Sequence, residues 1–204
     1  MNKDLIIKAG KAVLKNAARN ILITEKKLDN NFVEAVNILK RRKGKIIAVG
    51  IGKSGIIANK FSSTISSTGN LCIFVHPTEA FHGDFGKINE KDVLVIFCHS
   101  GETKEIIDFL MFCKQKNKNI KIISITSKFD STISLMSNVT LTTWVEEEHA
   151  DPRFKLIPTT SASVTLALSD ALIISLQTIN KFQAHRFYKN HPGGHIGEIS
   201  RNYN

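Results

Sequence analysis

The chain has 204 residues, of which 42% are hydrophobic and 23% charged. That length suits one domain with a full core, without disulfide or metal staples. The N-terminus lacks the apolar segment of a signal peptide, and no apolar run approaches ~18 residues, so neither export nor a membrane span is expected. The formal net charge of +10 raises the question of nucleic acid. Much of it lies in Lys40-Arg41-Arg42-Lys43-Gly44-Lys45 and Lys114-Gln115-Lys116-Asn117-Lys118. Both clusters fall near predicted helix C-termini, where cations complement the dipole, and no aromatics interleave with them as a stacking surface requires. No nucleic-acid partner is expected. Cys72, Cys98 and Cys113 show no CxxC spacing, which fits reduced, buried thiols in a cytoplasmic protein.

Residues 3–42 contain no proline and, after Gly10, no glycine. Leu14, Ala17, Ile21, Leu28, Phe32, Ala35, Val36 and Leu39 recur at helical spacing, so one or two long amphipathic helices precede the sheet. They exceed what the sheet needs for cover, and part of them is expected to meet a neighbouring subunit. Strands are then predicted at 45–50, 71–76, 93–98, 120–126 and about 139–143, with helices at 54–67, 102–116, 130–137 and 160–180. Alternation at this spacing implies right-handed βαβ units and a five-stranded parallel sheet covered on both faces, a three-layer α-β-α sandwich. There is no internal repeat or low-complexity linker.

Two of these strands end in turns suited to an anion. Ile47-Ala48-Val49-Gly50 breaks into Ile51-Gly52-Lys53-Ser54-Gly55, and Val93–Cys98 runs into His99-Ser100-Gly101-Glu102-Thr103. Each precedes a helix, whose unpaired N–H groups and positive dipole end favour negative charge. Two such turns in one domain suggest a phosphorylated ligand held from two sides, outside the strands' carboxyl ends. Gly50-x-Gly52-x-x-Gly55 formally matches the dinucleotide fingerprint. The second strand, however, ends Phe74-Val75-His76-Pro77, without the acidic residue that would bind a ribose. A P-loop fails because Ile47 stands where its first glycine belongs.

Five segments occur in order: Gly52-Lys53-Ser54-Gly55, His76-Pro77-Thr78-Glu79-Ala80-Phe81-His82-Gly83-Asp84, Ser100-Gly101-Glu102-Thr103, Pro158-Thr159-Thr160-Ser161 and His191-Pro192-Gly193-Gly194. Together they resemble the sugar isomerase (SIS) domain of arabinose-5-phosphate isomerases, over about residues 35–200. The resemblance implies a flavodoxin-like SIS fold filling 1–204, with residues 1–43 as its N-terminal helical segment. It is similar to short members without CBS domains, and a homotetramer is expected. The implied activity is aldose–ketose isomerisation of D-arabinose 5-phosphate and D-ribulose 5-phosphate through a cis-enediol, without a cofactor or metal. The product supplies 3-deoxy-octulosonate synthesis. Another ketose phosphate as substrate, or a sugar-phosphate sensor without turnover, are the alternatives.

The chemistry needs a proton-transfer group, a cation or acid for the enediolate oxygen and a phosphate anchor. Ser54, Ser100, Thr103, Thr159, Thr160 and Ser161 stand at predicted helix starts and are the anchor candidates, with N-capping as the competing reading. The family pattern SxSGxT has a serine where this chain has Cys98, so one hydroxyl is missing. Lys53, in a glycine turn at a strand end, suits an enediolate oxygen or the phosphate. With the resemblance, Glu105 becomes a carboxylate that orients Lys53 or a substrate hydroxyl, whereas Glu102 is expected at the surface. Among Glu146, Glu147 and Glu148, counting forward from the strands favours Glu148, although about two extra residues before Pro158 keep Glu147 open. Either Glu148 or His191 is the enediol base; His191 opens the furanose ring or shares proton transfer with Glu148, and is expected to complete a neighbouring subunit's site. His82 is expected to line the pocket and bind substrate hydroxyls. The spacing of His76, His82, Asp84 and His99 fits no specific metal-ligand pattern.

Overall fold

The computed structural model describes residues 2–148 and 155–201. Its core is a parallel sheet of β1 (Ile46–Gly50), β2 (Cys72–Val75), β3 (Val93–Phe97), β4 (Lys121–Thr126) and β5 (Val139–Thr142), in the order β2-β1-β3-β4-β5. Ahead of it run α1 (Lys3–Lys26) and α2 (Asn30–Arg41). They are separate because the Asp29 carboxylate accepts from Asn31 N at 2.9 Å and opens a new helix. The connections carry α3 (Gly52–Ser67), α4 (Pro77–Ala80), a 3-10 turn at Asp84–Lys87, α5 (Lys104–Lys116) and α6 (Thr132–Leu135). After β5 come α7 (Thr160–Ile179), α8 (Ala184–Asn190) and α9 (Gly194–Arg201). The four short elements α4, 84–87, α8 and α9 are not among the sequence expectations, because one or two turns of helix carry too little periodicity to register.

Successive side chains of a strand point to opposite faces, and both faces of this sheet are apolar. Ile46, Ala48, Val95, Phe97, Ile123 and Leu141 pack under α2, α3 and α7. Ile47, Val49, Leu94, Ile96 and Ile122 pack under α5 and the short α4 and α6. The three-layer sandwich follows. Phe61 of α3 and Phe97 of β3 meet at 5.5 Å between ring centroids, in a core where removing such a ring costs about 3–5 kcal/mol. The helix α7 has a mean hydropathy of 1.5, which by length and composition alone would cross a bilayer. Here it is a core helix, with Val164, Leu168, Leu172, Ile173 and Leu176 buried against its neighbours.

The two basic clusters sit where expected, in the last turns of α2 and α5. Both helices end at the sheet's amino edge. There Asp92, which is buried, accepts from Lys45 N at 2.9 Å, Lys45 Nζ at 2.7 Å and Asn89 N at 2.8 Å. All three cysteines are free and buried, and burial pushes the thiols of Cys72 and Cys113 up to about 11 and about 12.

Candidate active site

The strand order reverses direction beside β1, so β1 and β3 are neighbours whose following helices leave on opposite faces. That divergence opens a crevice at their carboxyl ends. Gly50 and Phe97 are register partners, so the two glycine-rich turns start side by side.

The first turn is tight because two glycines touch. A Cβ on Gly50 would lie 2.9 Å from the Ser54 carbonyl carbon, and one on Gly55 would lie 2.8 Å from the Gly50 oxygen. Only glycines let α3 start this close to β1. Gly52 has φ +59, Lys53 is exposed, and Ile51 leaves the N-terminus of α3 without a side-chain cap. Among the described residues Lys53 has no ion-pair partner.

In the second turn Gly101 has φ +71, and a Cβ there would overlap the Ser131 hydroxyl. Thr103 is the N-cap residue of α5 but makes no side-chain cap bond. Its Oγ1 lies 3.2 Å from Cys98 Sγ, and Cys98 Sγ lies 3.7 Å from Ser100 Oγ. Cys98 thus stands beside both hydroxyls. Ser100 Oγ also accepts from Glu102 N at 3.2 Å. The capping alternative therefore does not account for Ser54 or Thr103. Glu102 is exposed and accepts from Thr132 N at 2.9 Å, and this bond holds its carboxyl below the usual range.

The third expected cluster is arranged differently. Glu148 Oε2 accepts from Thr159 N at 2.9 Å and Thr160 N at 2.7 Å, and Glu148 Oε1 from Ser161 N at 3.2 Å. A carboxylate of the chain itself thus fills the N-terminus of α7, where negative charge is favoured. Thr160 and Ser161 are 0% and 3% exposed, and Thr160 Oγ1 accepts from Asn16 Nδ2 at 2.8 Å. Thr159, Thr160 and Ser161, expected as part of a phosphate anchor, give their backbone donors to Glu148.

The three glutamates also separate. Glu146 pairs with Arg19 at 2.8 Å and Glu147 with Lys155 at 2.6 Å, both in exposed positions. Glu148 alone reaches α7 and lies within electrostatic range of His99. His99 lies two residues past the end of β3, and its carbonyl accepts from Thr126 Oγ1, Ser127 Oγ and Ser127 N at 3.1, 2.7 and 2.9 Å. Its Nδ1 is buried without a hydrogen-bond partner among the described residues. Burial pushes the imidazole below its ordinary value, and the charge of Glu148 opposes that shift. The sequence reading gave His99 no role beyond a rejected metal cluster, since a lone histidine beside a serine-glycine turn carries no periodic signal.

Glu105 and His82 are brought together. They line a groove of about 490 Å³ with Thr78, Phe81, Asp108 and Phe112, between α4 and α5. His191 is not brought to these groups within one chain. It caps α8 and stacks on Phe187 at 5.1 Å. The neighbouring Asn190 Nδ2 lies 3.3 Å from where a Cβ on Gly69 would sit, beyond the far end of α3. The 16 residues of α3 span about 24 Å, so His191 lies at the opposite edge of the sheet from Gly52. Among the described residues, no three His, Cys, Asp or Glu side chains converge as a metal site.

The SIS domain model matches residues 38–175. The chain belongs to the SIS-domain family. This SIS domain is 40% identical over 171 residues to the arabinose 5-phosphate isomerase KdsD of Pseudomonas aeruginosa, covering 84% of this chain and 51% of that protein. It is 37% identical over 192 residues to the arabinose 5-phosphate isomerase GutQ of Escherichia coli K12, covering 90% of this chain and 59% of the relative. The chain thus spans little more than half the length of these curated relatives. Among solved structures, the E. coli CFT073 protein c3406 in complex with arabinose 5-phosphate superposes with a TM-score of 0.88 at 32% identity, covering 94% of this chain and 100% of that one.

Proposed function

We propose that this SIS domain is an aldose–ketose isomerase that interconverts D-arabinose 5-phosphate and D-ribulose 5-phosphate. The observation that carries the reading is the pair of helix N-termini, α3 and α5, that open side by side without side-chain caps and carry Ser54, Ser100 and Thr103. A phosphate monoester supplies the acceptors those donors lack. The relatives named arabinose 5-phosphate isomerase and the sugar-phosphate complex of the E. coli CFT073 protein support this choice of sugar.

With the phosphate so anchored, the reacting C1 and C2 lie at the other end of a five-carbon chain. A base removes the proton from C2 of the aldose, and the electron pair forms the C1–C2 double bond as the aldehyde oxygen takes negative charge. Protonation of that oxygen gives the enediol. Reprotonation at C1, with loss of the O2 proton, gives the ketose. Lys53 supplies the cation for the developing oxyanion. Glu148 is the carboxylate of the base, held by three backbone donors. Glu105 and His82 contact substrate hydroxyls from the α4–α5 side. His191 completes the acid–base set from a second copy of the chain in a homotetramer, because its own chain holds it at the far edge of the sheet. The three buried free thiols support a reducing, cytoplasmic setting, and the product is suited to 3-deoxy-octulosonate formation.

The deciding experiment incubates chelator-treated protein with D-arabinose 5-phosphate and follows ketose formation. Turnover is expected without added metal. Absence of turnover together with thermal stabilisation by the sugar would mean a sensing module. Turnover only with another ketose phosphate would mean a different isomerase.

A further inference from the structure

Residues 144–148 follow β5 as a strap without regular secondary structure, and that strap carries Glu148. Among the described residues no strand lies beyond β5 to satisfy its backbone. The partner is instead the N-terminal helix. Trp144 N donates to Thr24 Oγ1 at 3.1 Å, and Thr24 Oγ1 lies 3.5 Å from the Trp144 oxygen. Glu146 N donates to Asn20 Oδ1 at 3.0 Å. Asn16 Nδ2 donates to the Glu147 oxygen at 3.3 Å and to Thr160 Oγ1 at 2.8 Å.

Polar side chains at every fourth position of α1 meet Trp144, Glu146 and Glu147 in turn, so the helix takes the place an edge strand would hold. Asn20 is 0% exposed and uses both ends of its amide, since its Nδ2 donates to the Asn16 oxygen at 2.9 Å. Lys27 closes the ladder with its Nζ 3.5 Å from the Trp144 ring centroid. A buried asparagine and threonine on an otherwise apolar helix face are costly unless each polar atom is matched. These are matched to the strap that carries the carboxylate.

We propose that Asn16, Asn20 and Thr24 of α1 are positioning residues that set the height and register of Glu148 at the N-terminus of α7. The catalytic consequence rests on the isomerase reading, whereas the positioning itself does not. Displacing a reacting group by about 1 Å costs about 10²-fold in rate. The ladder touches neither α3 nor α5, so it leaves phosphate binding alone.

The test uses the full chain with Asn20→Leu, which keeps the branching at Cγ and removes both amide bonds, and with the pair Thr24→Val and Thr24→Ser. Arg19→Ala, which removes the exposed Glu146 ion pair on the same helix, is the control. Hydrogen exchange at the peptide spanning residues 158–163 reads the Glu148 cap directly. It should rise about tenfold or more in Asn20→Leu and Thr24→Val, and stay near wild type in Thr24→Ser and Arg19→Ala. In turnover of D-arabinose 5-phosphate, kcat should fall about tenfold or more in the same two variants while KM changes less than about threefold. Unchanged exchange at 158–163 in folded Asn20→Leu and Thr24→Val would overturn the proposal, as would equal losses in Thr24→Val and Thr24→Ser. Should Asn20→Leu not fold, the Thr24 pair decides. If the wild type fails to turn over the sugar, the isomerase reading falls and the exchange result still decides the positioning.

Discussion

Three long helices begin at the carboxyl edge of the same sheet, and they begin in two different ways. The N-cap residues of α3 and α5 make no side-chain cap bond, and Ser54, Ser100 and Thr103 stand at these starts. The N-terminus of α7 is closed by Glu148. Of the other helices, α1, α2 and α6 have a capping side chain, Asn2, Asp29 and Ser131, whereas the short α4 and α8 do not. Losing a side-chain cap costs roughly 0.5–2 kcal/mol per helix, and the two adjacent uncapped starts are the basis of the proposed phosphate site. The closed helix teaches the complementary lesson: the same backbone donors can fix a carboxylate of the chain itself.

The comparison can be broken most decisively at Glu148. Glu148→Ala should lower kcat by about 10²–10⁴-fold and also lower the melting temperature, since α7 loses its cap. Glu148→Gln keeps an acceptor oxygen, so it should melt close to wild type while losing as much activity. Near-normal turnover of Glu148→Gln would remove the carboxylate from the chemistry.

Mixing comes next. Lys53→Ala and His191→Ala should each be nearly inactive, and heteromers assembled from both should regain activity, because an intact Lys53 and an intact His191 can meet across an interface. Failure to complement, with both variants assembling normally, would place the two residues in separate roles.

A smaller effect separates open from closed helix starts. Ser100→Ala and Thr103→Val should each raise KM roughly tenfold or more with little change in melting temperature, as expected for lost bonds to a charged group, worth about 1.5–3 kcal/mol. Thr160→Val, buried under Asn16, should do the reverse and lower the melting temperature with KM unchanged. Equal effects on KM would erase the distinction.

The smallest effect concerns pH. Burial depresses the folded pKa of His99 below its ordinary value of 6.5. The unfolded chain therefore binds a proton more readily, so the stability from neutral His99 is present above about pH 6.5 and is lost as pH falls through the folded value. Melting temperature should decline between pH 7.5 and 5.5, and His99→Asn should flatten that decline. An unchanged slope would mean that other groups set it.

By itself the sequence determined the layered α/β architecture, because apolar runs of four to six residues alternating with helical periodicity leave few other solutions. All five strands fall within one residue or so of their expected bounds, and α3, α5 and α7 begin near theirs. The glycine-rich turns were legible for the same reason, since a strand end followed by Gly52 or Gly101 and a hydroxyl is a local signal. What only the tertiary structure decided is which groups share a site. Thr159, Thr160 and Ser161 look like Ser54 and Ser100 in sequence, yet Glu148, eleven residues upstream of Thr159, occupies their donors. Asn16 and Asn20 read as ordinary polar positions of an amphipathic helix until a strap more than a hundred residues away is laid against them. His191 reads as a motif residue, and only the packing of α8 beyond the end of α3 shows that its own chain holds it away from Lys53. Local periodicity fixes elements because its cause is local, whereas caps, ladders and shared sites depend on long-range contacts that no window of sequence contains.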